Sequence, residues 1–314
     1  MPLKGETSPH LKGYFCRSLP ILGHLHLLKP PLHCNLHRLC QISGGPIISL
    51  KLGVRRAVVV SSPDLVEECF TKNNDVVFAN RPNLLVDKYL GYNHTTMIGA
   101  SHSELWRSLR RIGAQKMLST GRFNAFVHIR QDEIKRLISN LYKLSTPGGV
   151  GFSKVEMRPK LYGMMFNVIM RTMGGKRYFG GDQDDKEEGS TEEAEGRRFQ
   201  NVIRKVFELS EASNPQDFLP LLRWIDYGGF TKKMRSAAKE MDEFFQGLVD
   251  EHRLEKMNTM IGDLLAQQES QPRFYSDQII KGFLMESKLE GSPLNGAVHC
   301  TAGVTMRAMT LSPS

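Results

Sequence analysis

The stretch SELWRSLRRIGAQKML (103–118) sets Trp106 and Arg110 four residues apart. On an α-helix that spacing puts both on one face, one turn from each other. An indole offers one N–H donor, and a guanidinium offers a fork of donors with a fixed charge. Together they suit a carboxylate or another anion held against an apolar surface. The same spacing also serves a tryptophan packed beneath an arginine at the edge of a core. Leu105, Leu109 and Ile112 would anchor the neighbouring face, while Arg107 and Arg111 fall on a different side, in solvent.

Other chemistry-bearing residues form weaker patterns. The five cysteines, Cys16, Cys34, Cys40, Cys69 and Cys300, have no regular spacing and no Cys-x-x-Cys pair. This argues against a disulfide framework or a zinc site, and a reducing compartment is the simpler reading. Cys34, His37 and Cys40 are close in sequence but would not share one helix face. The acidic segment GGDQDDKEEGSTEEAEGRR (180–198) lacks the EF-hand pattern and reads as a solvated linker. No dinucleotide fingerprint, Walker loop, Gly-x-Ser-x-Gly or His-Glu-x-x-His occurs. The formal net charge of +9 favours an acidic partner, whether nucleic acid, an anionic membrane face or an acidic protein surface, without choosing between them. No run of like basic charges and no recognised module supports nucleic-acid binding.

The elements that must carry the Trp–Arg pair are mostly helical. The segment LPILGHLHLLKPPLH (19–33) reads as an extended lead-in and NLHRLCQI (35–42) as a short helix. GGPIISLKLGVRRAVVVSSP (44–63) reads as a hairpin turning near Gly53, followed by a helix capped by Ser62 with Pro63 at its first position. Residues 78–101 read as a long loop with helical pieces. A helix over 121–144 carries a stripe of Phe123, Phe126, Val127, Ile134, Leu137, Ile138 and Leu141. A methionine-rich helix follows over 154–175. Helices then resume at RFQNVIRKVFELSEAS and again at TKKMRSAAKEMDEFFQGLVDEHRLEK, whose apolar face is Met234, Ala238, Met241, Phe245 and Leu248. No apolar run approaches a membrane span, and the polar leader is no signal peptide.

With these elements in order, the chain resembles the cytochrome P450 family. Trp-x-x-x-Arg at 106–110 is similar to the helix whose Trp and Arg hold a haem propionate. LPILGHLHLLKPPLH resembles the proline-rich hinge of microsomal members, and GGPIISLKLGVRRAVVVSSPDLVEECF their first hairpin and following helix. FANRP is similarly placed before the substrate loop. NPQDFLPLLRWIDYGGFTKKM and YSDQIIKG resemble plant members, closest to the isoflavone hydroxylase group. The resemblance runs from about Leu19 to about Met285. It implies a mainly α fold with a small β-sheet, haem b, molecular oxygen, electrons from an NADPH-dependent reductase, and hydroxylation of a small apolar substrate. It also implies that Trp106 and Arg110 bind a propionate and that the 84–103 loop lies over the substrate. Residues Phe207 to Ser213 would form another part of the substrate wall. For the family it implies the cytosolic face of the endoplasmic reticulum membrane.

The resemblance has gaps. The family's iron-ligand loop reads Phe-x-x-Gly-x-Arg-x-Cys-x-Gly. Around Cys300, Gly296 matches, but Pro293, Val298 and Ala302 replace the Phe, Arg and final Gly. Ala302-Gly303-Val304-Thr305 has the Ala-Gly of the oxygen-activating motif without its acid. The expected organisation is therefore a polar leader without an anchor (1–18), a hinge (19–34), a partial cytochrome P450 domain (35–286) truncated before the haem-ligand loop, and a divergent tail (287–314). No iron ligand and no catalytic residue is assigned. Such a chain would be inactive alone, cytosolic or peripheral to the membrane. The second reading is a non-catalytic remnant that binds haem weakly, a membrane surface or a protein. SHSEL, in place of a glycine-containing turn before Trp106, leaves open where that helix starts.

Overall fold

A computed structural model describes residues 18–290 apart from 30, 72–75, 118, 146–153, 181–190, 212–213, 256 and 273. In chain order the helices and strands are α1 (Leu32–Ser43), β1 (Ile47–Leu52), β2 (Arg55–Val60), α2 (Pro63–Phe70), α3 (Leu85–Tyr89) and α4 (Glu104–Ile112). Then come α5 (Thr120–Ala125), α6 (Val127–Ser145), α7 (Met157–Gly174) and α8 (Thr191–Glu211). Last are α9 (Leu221–Trp224), α10 (Phe230–Leu254), α11 (Met260–Ser270) and α12 (Asp277–Glu290). The fold is mainly α with a small β element, as the sequence pattern implies. Among the described residues, no helix is long and apolar enough to cross a membrane.

The described residues form two compact units, those within 18–85 and 211–232 and those within 86–210 and 233–290. The first is built on an antiparallel hairpin whose register runs from Ile47 opposite Val60 to Leu52 opposite Arg55. Alternation sends Ile48, Leu50 and Leu52 inward, onto Leu36, Leu39 and Cys40 of α1. Cys34 is exposed and Cys40 buried, so the helix separates them. Gly53 turns the hairpin at φ +60°, and a Cβ there would lie 2.1 Å from the Phe218 carbonyl oxygen. That same carbonyl accepts the Val54 N–H at 2.9 Å. The turn therefore needs glycine both for its dihedral and for the close approach.

The lead-in differs from the extended expectation. Leu19 and Gly23 bridge to each other, Gly23 also bridges to Leu52, and Leu25–Leu27 makes a 3-10 turn. Positive φ at Ile21 and Gly23 turns the chain back. Ser62 does precede α2 with Pro63 at the first position, but its side chain makes no capping bond.

The second unit is a helical assembly. α7 contributes Phe166, Met170 and Met173, α8 contributes Phe199, Val202, Ile203 and Val206, and α10 contributes Met234, Ala237, Met241, Phe245 and Leu248. Ala237, not Ala238, is the buried alanine. The expected helix over 121–144 is two helices, broken at Phe126. Its expected stripe is not the buried face: Val127, Ile134 and Ile138 are exposed, while Ile129 and Glu133 are buried. The physical reason is that Glu133 has two arginine partners. Arg171 lies 2.7 Å and Arg177 3.2 Å away, and the Asn167 amide donates to Glu133 at 3.1 Å. A carboxylate so paired can occupy the inner face. The expected acidic linker also ends early, because α8 begins at Thr191 with Glu192 and Glu193 in its first turn, where the helix dipole favours them.

Candidate functional site

The Trp–Arg pair lies on α4, and its position is fixed by the start of that helix. Ser103 is extended (φ −154°, ψ 177°) and its Oγ accepts the Trp106 backbone N–H at 3.2 Å. Glu104 follows in the first turn. SHSEL thus supplies a side-chain cap where the resemblance led one to expect a glycine turn, and the helix starts at Glu104. Ser103→Ala is expected to destabilise the chain by about 1 kcal/mol. Urea denaturation would read this as a lower midpoint, and an unchanged midpoint would contradict the capping role.

Leu109 and Ile112 are buried and Leu105 half-buried, whereas Arg107, Arg110 and Arg111 are exposed. α4 therefore has the anchoring face and the outward face that its sequence implies. Trp106 is half-buried. Its indole N–H donates to the Met97 carbonyl at 3.1 Å, and its ring lies 5.4 Å from that of His102. The Arg110 guanidinium sits 5.6 Å from the centroid of the Trp106 ring. Its N–H groups make no hydrogen bond to any described residue, so a full positive charge with free donors rests over an aromatic plate.

Met97 belongs to the 84–103 loop, so the indole ties that loop to α4. α12 holds it from another side. The Ile98 N–H donates to Glu286 Oε1 at 2.7 Å, and Gln278 Nε2 donates to the Tyr92 carbonyl at 2.6 Å. Lys281 pairs with Asp242 at 2.5 Å, with its ammonium 5.8 Å from the Tyr92 ring centroid. Burial first, and then the negative charge of Asp242, push the Tyr92 hydroxyl far above its usual range. Tyr92, Asn93 and His94 all have positive φ (48°, 56° and 62°), a run that costs energy for residues with side chains. Burial, and then Lys88, lower the His94 pKa. The loop is thus a held structure rather than a slack connection.

The fit to haem divides. Arg110 suits an anionic carboxylate. Trp106, as found, spends its N–H on a backbone carbonyl, so a propionate at this face would rest on the Arg110 donors unless that bond exchanged. Among the described cysteines, Cys34 is exposed, Cys69 half-buried and Cys40 buried. Burial raises the Cys40 thiol pKa, which disfavours a thiolate there. Cys16 and Cys300 lie outside the described residues, as do Ser213 and the Ala302–Thr305 segment. Phe207 is buried in α8. Sequence reasoning missed Met97, Glu286 and Gln278. The first acts through its carbonyl, which residue type does not reveal, and the others carry no motif.

The family model described as Cytochrome P450 matches residues 15–292. The chain is 49% identical over 276 residues to Cytochrome P450 81Q32 of Catharanthus roseus, covering 88% of this chain and 53% of that protein. It is 46% identical over 279 residues to isoflavone 3'-hydroxylase of Medicago truncatula, covering 88% and 54% respectively. It is 44% identical over 277 residues to isoflavone 2'-hydroxylase of Glycyrrhiza echinata, with the same 88% and 54%. The chain spans about half the length of the curated relatives it matches.

Proposed function

The chain belongs to the cytochrome P450 family, and on that premise we propose that it carries the propionate grip and substrate loop of a haem-thiolate monooxygenase. The reaction would hydroxylate a small apolar plant metabolite, with electrons from an NADPH-dependent reductase. Haem, when bound, supplies the oxygen-activating chemistry. The chain's own residues do the holding. Arg110 offers charge-assisted hydrogen bonds to a propionate, Trp106 backs that guanidinium, and the loop over 84–103 shields the apolar substrate from water. The basic excess suits an acidic reductase surface. The 314 residues contain no match to the family's iron-ligand loop, so no residue of this sequence is assigned as the iron ligand.

The observation that carries this reading is the unpaired Arg110 guanidinium over Trp106. Its test is a titration of the purified chain with haemin. Arg110→Ala is expected to weaken binding about tenfold or more, the worth of one charge-assisted hydrogen bond. Arg107→Ala, on another side of α4, is expected to leave it unchanged. Equal losses in the two variants would sink the propionate role.

Peripheral contact with the membrane surface forms part of the same proposal. Leu221 (70% exposed), Trp224 (88%), Ile225 (70%) and Tyr227 (55%) are outward apolar residues, with Arg223 and Lys232 close to them in sequence. Aromatic and aliphatic residues flanked by cations are the composition of an interfacial anchor. Trp224→Ser is expected to reduce cosedimentation with phosphatidylcholine–phosphatidylserine vesicles several-fold. Undiminished cosedimentation would contradict the contact.

A further inference from the structure

His24 fastens the lead-in to the outer edge of β1. Its backbone N–H donates to the Lys51 carbonyl at 2.6 Å, and the Lys51 N–H donates to His24 Nδ1 at 2.9 Å. A single histidine thus takes up both backbone groups of Lys51, on the side of β1 turned away from β2. Next to it the Gly53 N–H donates to the Leu22 carbonyl at 3.1 Å. A Cβ at Gly23 would lie 2.1 Å from the Lys51 carbonyl oxygen, so only glycine permits so close an approach. Just beyond, Leu25, Leu27 and Leu28 pack on the core formed by α1 and the hairpin.

A backbone N–H can only donate. Nδ1 must therefore accept, which requires a bare lone pair there and places the ring proton on Nε2. A proton added at Nδ1 would set two N–H groups head to head and end the bond. His24 is only 8% exposed, so water is poorly placed to replace it. Histidine is the side chain whose charge changes between pH 5 and 8. The neutral ring makes this bond, and the bond is lost as pH falls through the titration of that ring. The surrounding elements carry Lys51 on β1, Arg55 and Arg56 on β2, His26 and Lys29 on the lead-in, and Asp217 next to Phe218, which packs on the same core. α1 turns Leu36, Leu39 and Cys40 inward and leaves His33, His37 and Arg38 exposed. The lysines and arginines keep their charge across this range. The Asp217 carboxylate accepts the Leu85 N–H and lies beside Arg223, and burial pushes both Asp217 and Cys40 upward. His26 is exposed and its side chain makes no hydrogen bond to a described residue, so of these two lead-in histidines only the His24 side chain bonds to β1.

We propose that His24 is a proton-operated clasp: neutral, it holds the lead-in on β1, and protonated, it lets that segment go. Neither haem nor reductase takes part, so the clasp and the propionate grip can fail separately. The experiment is amide hydrogen exchange of the purified chain near pH 7.5 and near pH 5, read at single residues by nuclear magnetic resonance, with each rate divided by the intrinsic rate at that pH. Lys51 protection is expected to fall about tenfold or more at the lower pH, while the amides paired between β1 and β2 hold theirs. His24→Asn, whose side-chain oxygen accepts at either pH, should keep Lys51 protected in both conditions. The ring-nitrogen spectrum of the unaltered chain near pH 7.5 should show the His24 proton on Nε2, a readout that needs no variant. Equal Lys51 protection at the two pH values, the same loss in a folded His24→Asn chain, a loss shared by the β1–β2 amides, or a His24 proton on Nδ1 near pH 7.5 would each overturn the proposal.

Discussion

Phe245→Ala is expected to lower the stability of the chain by about 4 kcal/mol, the upper part of the range for deleting a buried aromatic ring. Phe245 is wholly buried. Its ring meets Phe199 edge-on at 5.4 Å and Phe244 at 6.0 Å. Phe199 in turn stacks on Phe244 at 3.7 Å and meets Phe166 at 6.2 Å. Removing one ring leaves a cavity where α7, α8 and α10 converge and strips contacts from its neighbours. Phe245→Leu should cost less, because it keeps most of the volume. Urea denaturation checks both variants: the midpoint should fall and the slope stay constant. A loss below about 1 kcal/mol for the alanine variant would mean that the site collapses freely and that this cluster is not the centre of its unit.

Glu133→Ala is expected to cost about 3 kcal/mol, the low end of the range for breaking a buried ion pair from one side. The low end applies because Arg171 and Arg177 each retain 22% side-chain exposure, whereas Glu133 retains 2%. The carboxylate joins α6 to α7 through Arg171 and to the following segment through Arg177. Asn167 extends the network, donating to the Phe179 carbonyl at 2.8 Å and accepting the N–H groups of Tyr178 and Phe179. Without Glu133, Arg177 is left half-buried and short of its main counter-charge. Arg171 keeps Asp132, to which it also donates. Glu133→Gln, which keeps the shape and can still accept from Asn167, should lie between the two. An alanine variant as stable as the parent would show that water replaces the network at no cost.

These two residues illustrate how far the sequence could be read. Phe245 falls on a helical stripe with Met234, Met241 and Leu248, and periodicity is sufficient to send such residues inward. Glu133 lies on the opposite side of that logic. Nothing within its own helix says that arginines 38 and 44 residues onward will meet it, so periodicity alone puts the buried face of the expected 121–144 helix on the wrong side. The hairpin was legible from alternation and Gly53, but the Phe218 carbonyl that makes Gly53 necessary comes from a distant segment. The lead-in turned rather than extended because its backbone pairs with Leu52.

At the candidate site, the shared face of Trp106 and Arg110 followed from a four-residue spacing. The resemblance that gave the face a role rested on segments spread along the chain. The Met97 carbonyl beneath the indole was invisible, since backbone groups are positioned by the loop and not by residue type. The same holds for Glu286, a buried carboxylate whose partner is a backbone N–H 188 residues away.

The most direct test of the functional account is the reduced carbon-monoxide spectrum of the haem-titrated chain. A haem grip without the family's iron-ligand loop predicts a Soret band of nitrogen-ligated or free haem, and no oxidation of apolar test compounds with reductase and NADPH. A thiolate-type Soret band, lost on substituting one cysteine with serine (Cys300 first), would contradict it, because one of the five cysteines would then reach the iron and the chain would hold its cofactor complete.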